Sequence, residues 1–208
     1  MALSIFDHPI TSAFTVVTGY ESGHTSISQL RGSEWEVTYT SHPHQQPMLS
    51  LSVVPSTASS VLFYLTSSAD ANITKHEIPS DGNVVVGLSL PIKIVDTKHS
   101  GQQGLQVRND GKIFATAGWD SKVRVYATKT MKELAVLKWH KEGCYAVTFA
   151  DVKTGVSAET NDDSAPNSTL VNISKVLTVA EARQQKAENT HWLAVGSKDG
   201  KVSLWDIY

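Results

Sequence analysis

Residues 192–208, WLAVGSKDGKVSLWDIY, carry the strongest structural signal of the chain, because two apolar runs flank a short polar turn. Both runs are rich in the β-branched and aromatic residues that favour strands. Between them, Asp199 and Gly200 supply the positive φ that a tight turn needs. This stretch therefore predicts a β-hairpin whose second strand ends in Trp205 and Asp206.

The same hairpin pattern recurs about 80 residues earlier, at 112–128, as KIFATAGWDSKVRVYAT. An Asp-Ser pair occupies the turn of this copy, and Tyr126 stands at the position of Trp205. Weaker copies, each with two strands about a polar turn, lie around 12–30 and 59–78. Recurrence of one supersecondary unit predicts a repeat architecture.

The segments between the hairpins complete a four-stranded unit. Each hairpin is followed by an extended segment, a polar link with His or Gly, and another apolar strand, as in ELAVLKW followed by CYAVTFA. We therefore predict an all-β fold, a β-propeller with about four blades. The expected blades are 1–41, 42–97, 98–139 and 140–208. Their strands are expected near 2–6, 13–19, 24–30, 35–40, 47–54, 60–67, 72–78, 92–96, 103–108, 113–118, 122–127, 133–138 and 143–149, with the last hairpin at 191–206 and no outer strand after it.

The alternative is an open antiparallel sandwich with unrelated hairpins. Antiparallel sheets with one solvated face alternate apolar and polar residues along each strand. Here the runs TVVT, VLFYL and WLAVG are nearly continuously apolar, as expected for inner strands covered on both faces by neighbouring blades. The recurrence of the hairpin together with its turn aspartate also favours the propeller.

One long segment departs from the repeat. Residues 153–190 are polar and rich in Ser, Thr, Asn and Asp, and they separate the first strand of the last blade from its hairpin. We predict a surface loop insertion, partly disordered, with a short helix at 179–188. It is either a tolerated extension of a blade edge or the carrier of a binding motif.

Composition argues against several classes of function. The 208 residues carry a formal net charge of −2, which gives no field that would draw the chain onto nucleic acid or an anionic membrane. Cys144 is the only cysteine, which fits a reducing compartment and excludes an intramolecular disulfide. No apolar stretch approaches the roughly 20 residues that span a bilayer. We expect protein partners, no direct contact with nucleic acid and no membrane, in the nucleus or the cytoplasm.

The residues GSKDGKVSLWD at 196–206 resemble the repeat signature of the WD-repeat family. In that family a His before the first strand, a Ser or Thr in the second, an Asp in the turn and a Trp in the third form a buried hydrogen-bonded set. The resemblance implies that these residues satisfy buried polar groups and hold the blade turn, so their role is structural. The corresponding residues are His99, Thr116, Asp120 and Tyr126 in the third blade, and His140, Asp199, Trp205 and the following Asp206 in the fourth.

This structural set departs from the family pattern in both blades. Tyr126 replaces the Trp of the third blade, and Val195 stands where the fourth blade needs Ser or Thr. We therefore expect networks that do not close fully. The family usually closes a ring of about seven blades, so we expect an incomplete part of a seven-bladed ring, with a four-bladed ring as the alternative.

The C-terminal half, at 101–152 and 192–208, resembles more narrowly a fungal WD-repeat subunit of a nuclear assembly linked to chromatin remodelling and kinase stability. The resemblance implies a nuclear protein whose partners are other subunits of such a complex, including AAA+ ATPases and kinase co-chaperones. It implies no cofactor.

No residue pattern indicates a catalytic site or a metal. Cys144 lies four residues after His140, but in a β-strand this spacing implies no pairing, so we expect a buried apolar cysteine. His42 and His44 flank Pro43 without a third ligand nearby, so we expect a polar turn between blades rather than a metal site. A glycine-rich phosphate loop, with its strand-loop-helix context, is missing from the sequence.

Two classes of function remain open. The first is a non-catalytic scaffold for protein interaction, in the nuclear assembly named by the resemblance or as a WD-repeat adaptor of another complex. The second is a propeller-type hydrolase, which needs polar groups that converge in the central channel. The sequence shows no such convergence, which favours the scaffold.

Overall fold

The structure, a computed structural model, describes residues 1–54, 62–79, 87–99, 101–152 and 178–207. Within these ranges the chain forms four sheets, in which successive strands pair antiparallel. The predicted all-β propeller fold is therefore confirmed at the level of its blades. Four separate sheets in chain order are not the open sandwich that was the alternative.

The strands follow one another through the sheets in chain order. The first blade contains β1 (Ala2–Asp7), β2 (Phe14–Gly19), β3 (Thr25–Arg31) and β4 (Glu34–Ser41). The second contains β5 (Met48–Val54), β6 (Leu62–Ser68), β7 (Asn72–Ile78) and, after the two-residue strand β8 (Leu88–Ser89), the strand β9 (Lys93–Asp96). Strand β8 lies between β7 and β9 in the sequence but belongs to the first sheet, where it pairs parallel to β4. The third contains β10 (Gln102–Val107), β11 (Ile113–Gly118), β12 (Val123–Ala127) and β13 (Glu133–Leu137).

The fourth blade contains three strands among the described residues, as the sequence predicts. They are β14 (Cys144–Phe149), β15 (Trp192–Ser197) and β16 (Val202–Asp206). The helix predicted at 179–188 is present as α1 (Val179–Asn189), and it begins with a capping box in which Thr178 and Glu181 exchange hydrogen bonds. The prediction for the remainder of the insertion, at 153–177, lies outside the described residues.

The two hairpin turns identified in the sequence have the backbone that their residues permit. Ser121 has a φ of 65° and Gly200 a φ of 76°, both in the left-handed region that tight hairpin turns use. One difference between prediction and structure is β8, a two-residue strand whose short length gives no periodic signal in the sequence.

The hydrophobic core is divided into three clusters, and each lies between two successive blades. The clusters consist of Val17, Ile27, Tyr39, Leu51, Leu62, Tyr64 and Ile78 between the first and second blades, of Val54, Leu65, Ile73, Leu105, Val107, Phe114, Tyr126 and Met131 between the second and third, and of Ile113, Ala115, Ala117, Val123, Val125, Cys144, Phe149, Leu193 and Val195 between the third and fourth. Apolar residues therefore stabilise the joints between sheets, as continuous apolar strands require.

The blades contact one another in sequence order. Strand β1 packs against β5, β5 against β10, and β10 against β14. Among the described strands, no contact of comparable extent joins the first blade to the fourth, so a closed ring is not observed. Neither does the described part of the chain contain a helix long and apolar enough to cross a membrane.

Candidate protein-interaction face

One end of the four blades collects the turns between the second and third strands of each blade and the links between blades. Gln102 pairs with Gly118 and Val123 with Leu137, so the start of the inner strand, the hairpin turn and the end of the outer strand lie at the same end of the sheet. We call this end the link face. It comprises the turns at 20–24, 69–71, 119–122 and 198–201 and the links at 42–47, 97–99 and 138–143.

Backbone hydrogen bonds hold the links against the turns. The amide of Gly101 donates to the carbonyl of Ala69 at 3.1 Å, and the amide of Trp119 donates to the carbonyl of Gly101 at 3.0 Å. Gly101 has a φ of 72°, and a Cβ at this position would lie on the indole ring of Trp119. Glycine is therefore required here both by the backbone conformation and by the close approach of the indole.

The most complete polar network of the link face lies in the second blade. Nδ1 of His44 lies 3.1 Å from Oδ2 of Asp70, and Nε2 of His44 lies 2.8 Å from the hydroxyl of Thr66. The Thr66 hydroxyl is hydrogen-bonded to that of Thr74, which in turn lies 2.8 Å from Nε2 of His76. His44 lies on the link, Thr66 on β6, Asp70 on the turn, and Thr74 and His76 on β7. The network therefore ties the link, the turn and two strands together.

This network continues into the first blade. Nδ1 of His76 lies 2.9 Å from the hydroxyl of Tyr39, and the imidazole stacks on the ring of Tyr64 at 4.7 Å between centroids. Burial lowers the pKa of His76 to about 3, and the neighbouring His44 acts in the same direction. The buried imidazole is therefore neutral at pH 7 and serves as a hydrogen-bonding bridge between blades.

Asp70, at the open end of the network, stays ionised. Burial alone raises the pKa of its carboxyl, but the hydrogen bonds from His44 and from the backbone amide of Asn72 outweigh burial and lower it. The carboxylate therefore accepts from both the link and the turn, and this arrangement fixes the turn.

His42 does not share the environment of His44. Its ring stacks on that of His24 with 3.8 Å between centroids, in an exposed position beside the network. Nowhere in the described ranges do three or more His, Cys, Asp or Glu side chains come together as metal ligands would. The pair of histidines predicted as a polar turn thus comprises one buried structural residue and one residue of the surface.

In the third blade the expected residues come together only in part. Nδ1 of His99 lies 3.6 Å from the carboxylate of Asp120. The hydroxyl of Thr116, however, donates to the side-chain oxygen of Gln102 at 2.9 Å, and the Gln102 amide donates to the backbone carbonyl of His99 at 2.9 Å. Gln102 therefore occupies the position between His99 and Thr116 that an imidazole fills in the second blade.

Asp120 forms an ion pair with Arg124, which is not one of the residues that the family pattern predicts at this site. Two nitrogens of Arg124 donate to its carboxylate at 2.6 and 3.1 Å, and the guanidinium is almost fully buried. Burial raises the pKa of Asp120, but the hydrogen bonds and the charge of Arg124 prevail and lower it. The ring of Tyr126, which replaces the Trp of the family pattern, stacks on Phe114 at 4.9 Å.

In the fourth blade, Ser203 connects two of the expected residues. Its hydroxyl lies 2.8 Å from Nε2 of His140 and accepts from the indole nitrogen of Trp205 at 2.9 Å. Ser203 on β16 is paired across the hairpin with Val195 on β15. Its hydroxyl therefore lies beside the position at which the family pattern has the hydroxyl of a Ser or Thr. The hydroxyl that joins His140 and Trp205 in this blade therefore lies on β16, not on β15.

Asp199 and Asp206 lie outside that connection. The Asp199 carboxylate accepts from the ammonium of Lys201 at 2.7 Å, and this hydrogen bond lowers the pKa of Asp199 to about 2. Asp206 is exposed at the end of β16, opposite Trp192 in the register. Neither carboxylate is placed to hold the His140 imidazole.

The network of the second blade has a signal in the sequence. His44, Thr66 and Asp70 follow one another in the order of His99, Thr116 and Asp120, with the same spacing of four between Thr and Asp. The roles of Gln102, Arg124 and Ser203 have no such signal, because they depend on side-chain conformations and on cross-strand register.

The described residues do not assemble a nucleophile with a base. Cys144 is buried, as predicted, and burial together with the charges of Asp120 and Asp199 raises the pKa of its thiol to about 11. A thiol with this pKa is protonated and inert at pH 7.

Two cavities reach the surface of the fourth blade. A cavity of about 560 Å³ lies between the end of β14 and α1, where Asp151 and Glu188 are its charged residues. On the link face, a cavity of about 200 Å³ is lined by Trp139, His140, Lys141, Asp199 and Lys201. The latter is below the roughly 300–1,000 Å³ of typical small-molecule sites, and the former is within that range.

Large aromatic side chains are exposed on the link face at the third and fourth blades. Trp119, Trp139 and Tyr145 each expose about half of their surface. Trp119 and Tyr145 both border Gly143, where a Cβ would lie 3.1 Å from the Trp119 carbonyl oxygen and 3.2 Å from the Tyr145 ring. Exposed aromatic residues that are fixed by their surroundings are enriched at protein interfaces.

Comparison with known families bears out the resemblance described above. Residues 92–127 and 174–206 match the WD domain, G-beta repeat family. The first match covers the hairpin of the third blade and the second covers that of the fourth. These are the two hairpins from which the repeat was recognised.

Three curated fungal proteins illustrate the similarity along the whole chain. The ASTRA-associated protein 1 of Aspergillus flavus is 45% identical over 226 residues, covering 100% of this chain and 50% of that protein. The proteins of the same name from Verticillium alfalfae and Schizosaccharomyces pombe are 47% and 33% identical, covering 100% and 93% of this chain and 50% and 44% of theirs. The chain spans about half the length of the curated relatives it matches.

Among solved structures, the crystal structure of the computationally designed Ika4 protein has a similar fold. The TM-score is 0.56 at 15% sequence identity, and the match covers 100% of this chain and 90% of that chain. At this identity the similarity concerns the fold alone.

Proposed function

Because the chain carries WD40 repeats and is homologous to the fungal ASTRA-associated protein 1, we propose that it is a non-catalytic protein-interaction scaffold and a subunit of the nuclear ASTRA complex. The proposal extends to a role in chromatin remodelling and in the stability of kinases. Its partners are protein subunits of the complex, among them the AAA+ ATPases and kinase co-chaperones that the resemblance implies.

The observation that carries the scaffold role is the exposed aromatic surface of the link face. Trp119, Trp139 and Tyr145 are exposed there, and backbone hydrogen bonds from Trp119 to Gly101 and from Lys198 to Gly143 hold the turn and the link beside them. Because these elements are fixed before binding, little conformational entropy is lost when a partner contacts them. The side chains that anchor most interfaces are of the same type.

The chemistry of the described residues supports a binding role over a catalytic one. One of the buried histidines of the second blade, His76, is neutral, and both of its ring nitrogens are hydrogen-bonded, to Thr74 and to Tyr39. The thiol of Cys144 is buried and protonated. His76 and Cys144 therefore serve as structural contacts.

The proposal is tested by affinity purification of the tagged chain from fungal cells, followed by mass spectrometry. We expect AAA+ ATPases and kinase co-chaperones in the purified material. The double variant Trp119→Ala/Trp139→Ala removes two exposed aromatic side chains of the link face, and we expect it to recover these partners at least tenfold less efficiently.

The matched control is Leu134→Ala, which truncates an exposed apolar residue on β13, away from the link face. It should retain the partners. Recovery of the subunits of a different complex by the unmodified chain would indicate an adaptor of that complex. Equal recovery by the double variant and the control would show that the link face is not the binding surface.

A further inference from the structure

The charged residues of the link face are divided unevenly between its two halves. The six lysines of its turns and links all lie at the third and fourth blades or on the link that leads into the third, and they are Lys98, Lys122, Lys138, Lys141, Lys198 and Lys201. The turns and the link of the first and second blades contain Glu21 and Asp70 and no lysine or arginine. We call the six lysines, together with Trp119 and Trp139, the basic patch.

Most carboxylates beside the basic patch already have a partner. Asp120 accepts two hydrogen bonds from the almost fully buried Arg124, and Asp199 accepts one from Lys201 at 2.7 Å. Four of the six lysines are exposed and form no ion pair with any other described residue, namely Lys98, Lys138, Lys141 and Lys198. The whole chain has a formal net charge of −2, so this excess of free ammonium groups is a local feature.

Two exposed indole rings lie next to these lysines in the chain. Trp119 is 44% exposed and Trp139 is 54% exposed. The indole nitrogen of Trp119 donates to the side-chain oxygen of Gln103 at 3.0 Å, and the ring of Trp139 contacts His140 edge-on with 4.9 Å between centroids. Because both rings are held by neighbouring side chains, they offer apolar surfaces to a partner at a small cost in conformational entropy.

Backbone contacts bring the segments of the basic patch together. The amide of Lys198 donates to the carbonyl of Gly143 at 2.9 Å, and the hydroxyl of Ser197 lies 3.3 Å from the same oxygen. Gly143 also borders Trp119, since a Cβ on this glycine would lie 3.1 Å from the Trp119 carbonyl oxygen. The two turns and the link between them therefore form one surface over the joint between the third and fourth blades, and both of these blades belong to this chain.

The smaller of the two cavities lies in this surface. It has a volume of about 200 Å³ and is lined by Trp139, His140, Lys141, Asp199 and Lys201. An aromatic wall and two ammonium groups thus meet in one depression. The depression offers contacts both for an apolar side chain and for a carboxylate.

We propose that the basic patch binds an acidic, extended segment of a partner protein, in which Asp or Glu residues alternate with apolar ones. The inference rests on the proposed scaffold role and names the chemistry of one partner. The carboxylates pair with the free lysines, and the apolar side chains pack on Trp119 and Trp139. Complementary charge of this kind speeds association and selects against basic partners.

The basic patch fits carboxylates better than phosphates. Arginine is the residue that binds phosphate through two parallel hydrogen bonds, and the turns and links of the link face contain no arginine. A nucleic-acid backbone is bound along a continuous positive groove. Here the positive charge ends at the second blade, where Asp70 and Glu21 are the charged residues. A short acidic peptide matches a patch of this limited extent.

The proposal is tested by fluorescence anisotropy with the purified 208-residue chain and a labelled synthetic peptide in which Glu alternates with Leu and Trp. We expect binding that weakens roughly fivefold between about 50 and 300 mM NaCl, because salt screens exposed charges. A comparison peptide carries Gln in place of every Glu. We expect it to bind about tenfold more weakly, because it keeps the apolar contacts and loses the ion pairs.

The double variant Lys141→Glu/Lys198→Glu reverses two exposed charges of the basic patch, and it should bind the Glu peptide about tenfold more weakly. The matched control is Lys129→Glu/Lys132→Glu, which makes the same change in net charge beside the turn between β12 and β13, at the opposite end of the third blade. It should bind as the unmodified protein does. All four positions are exposed, so circular dichroism should show an unchanged fold for both variants.

Three results would overturn the proposal. Equal binding of the Glu and Gln peptides would show that charge is not recognised. Equal losses in the two double variants would show that the basic patch is not the site. A single-stranded oligonucleotide that displaces the Glu peptide at a lower concentration than unlabelled Glu peptide does would indicate a nucleic-acid surface instead.

These outcomes are separate from those of the affinity purification. If Trp119→Ala/Trp139→Ala loses its partners in cells while the purified chain binds the Glu and Gln peptides equally, the scaffold role stands and the acidic chemistry of the partner is refuted. If the Glu peptide binds as expected while the subunits of another complex are purified, the basic patch is supported and the assignment to the ASTRA complex is refuted.

Discussion

The hydroxyl of Tyr39 in the first blade lies 2.9 Å from Nδ1 of His76 in the second, so a buried hydrogen bond joins two sheets across an apolar joint. Thr74 holds the other ring nitrogen of His76 at 2.8 Å. Both polar atoms of this imidazole are therefore satisfied inside a cluster whose other members are mostly apolar. Such contacts are costly to break, because the remaining partner is left buried and unpaired.

Replacement of Tyr39 by Phe removes this hydroxyl and keeps the ring. We expect the free energy of unfolding to fall by about 1–3 kcal/mol, the cost of leaving one buried polar group unsatisfied. Urea unfolding at neutral pH measures the change. Tyr145→Phe, which removes an exposed hydroxyl, serves as the control and should leave stability unchanged; equal losses for the two variants would contradict the bridging role of Tyr39.

The protonation of His76 predicts a stability that depends on pH. Its pKa in the folded state is lowered from 6.5 to about 3, so the unfolded chain takes up the proton first as the pH falls. Stability should therefore be intact above pH 6.5 and decline below it, with a loss of about 2 kcal/mol between pH 8 and pH 5. Urea unfolding across this range measures the loss.

The variant His76→Gln identifies the residue responsible. It removes the titrating group, so the decline between pH 8 and pH 5 should become shallower, whatever the variant's absolute stability. His42→Gln, which removes an imidazole of the surface, should retain the decline. An unchanged slope in His76→Gln would assign the pH dependence to another group.

The two turn aspartates are expected to differ in their importance for stability. Asp120 accepts two hydrogen bonds from the almost fully buried guanidinium of Arg124, whose other anionic neighbour, Glu133, lies 3.7 Å from Nε. Asp120→Asn therefore leaves the buried charge with only this longer ion pair and should cost about 2 kcal/mol. Asp199 lies at an exposed turn and pairs with the exposed Lys201, so Asp199→Asn should leave the unfolding midpoint close to that of the unmodified protein. Thermal unfolding of the two variants side by side tests this difference, and a reversed order would contradict it.

Cys144 should be inert in the folded protein. Its side chain is buried and its thiol has a pKa of about 11, and the thiolate is the reactive form. We expect a thiol reagent such as dithionitrobenzoate to label the native protein at least a hundredfold more slowly than the urea-unfolded chain. Ser33→Cys places a second thiol on an exposed turn and should react at once; rapid labelling of Cys144 in the unmodified native protein would contradict its burial.

Hairpins with a turn aspartate or glycine could be predicted from the sequence because their signals are local. The positive φ of Ser121 and Gly200 and the near-continuous apolar strands both follow from short stretches of chain. Strand β8 has two residues and no periodicity, and its pairing with β4 joins segments about 48 residues apart. Long-range pairing of this kind is decided by tertiary packing and leaves no local pattern.

The polar residues of the link face were predictable in type but not in partner. Thr116 and Asp120 are found where the repeat pattern expects them, yet Gln102 and Arg124 are the residues that they contact. A choice among Gln, His and Arg as the nearest partner depends on side-chain length and rotamer. Those properties are set by the space between blades, which a linear pattern does not encode.

Because every hydrophobic cluster lies between two blades, no single sheet holds a core of its own, and the molecule is a one-dimensional array stabilised by nearest neighbours. The second and third blades pack against a neighbouring blade on both faces, whereas the first and fourth do so on one face only. Amide protons should therefore exchange with solvent slowest in β6 and β11 and progressively faster towards both ends. Under force applied at the two termini, the blades of such an array should unfold one at a time, starting with the first and the fourth.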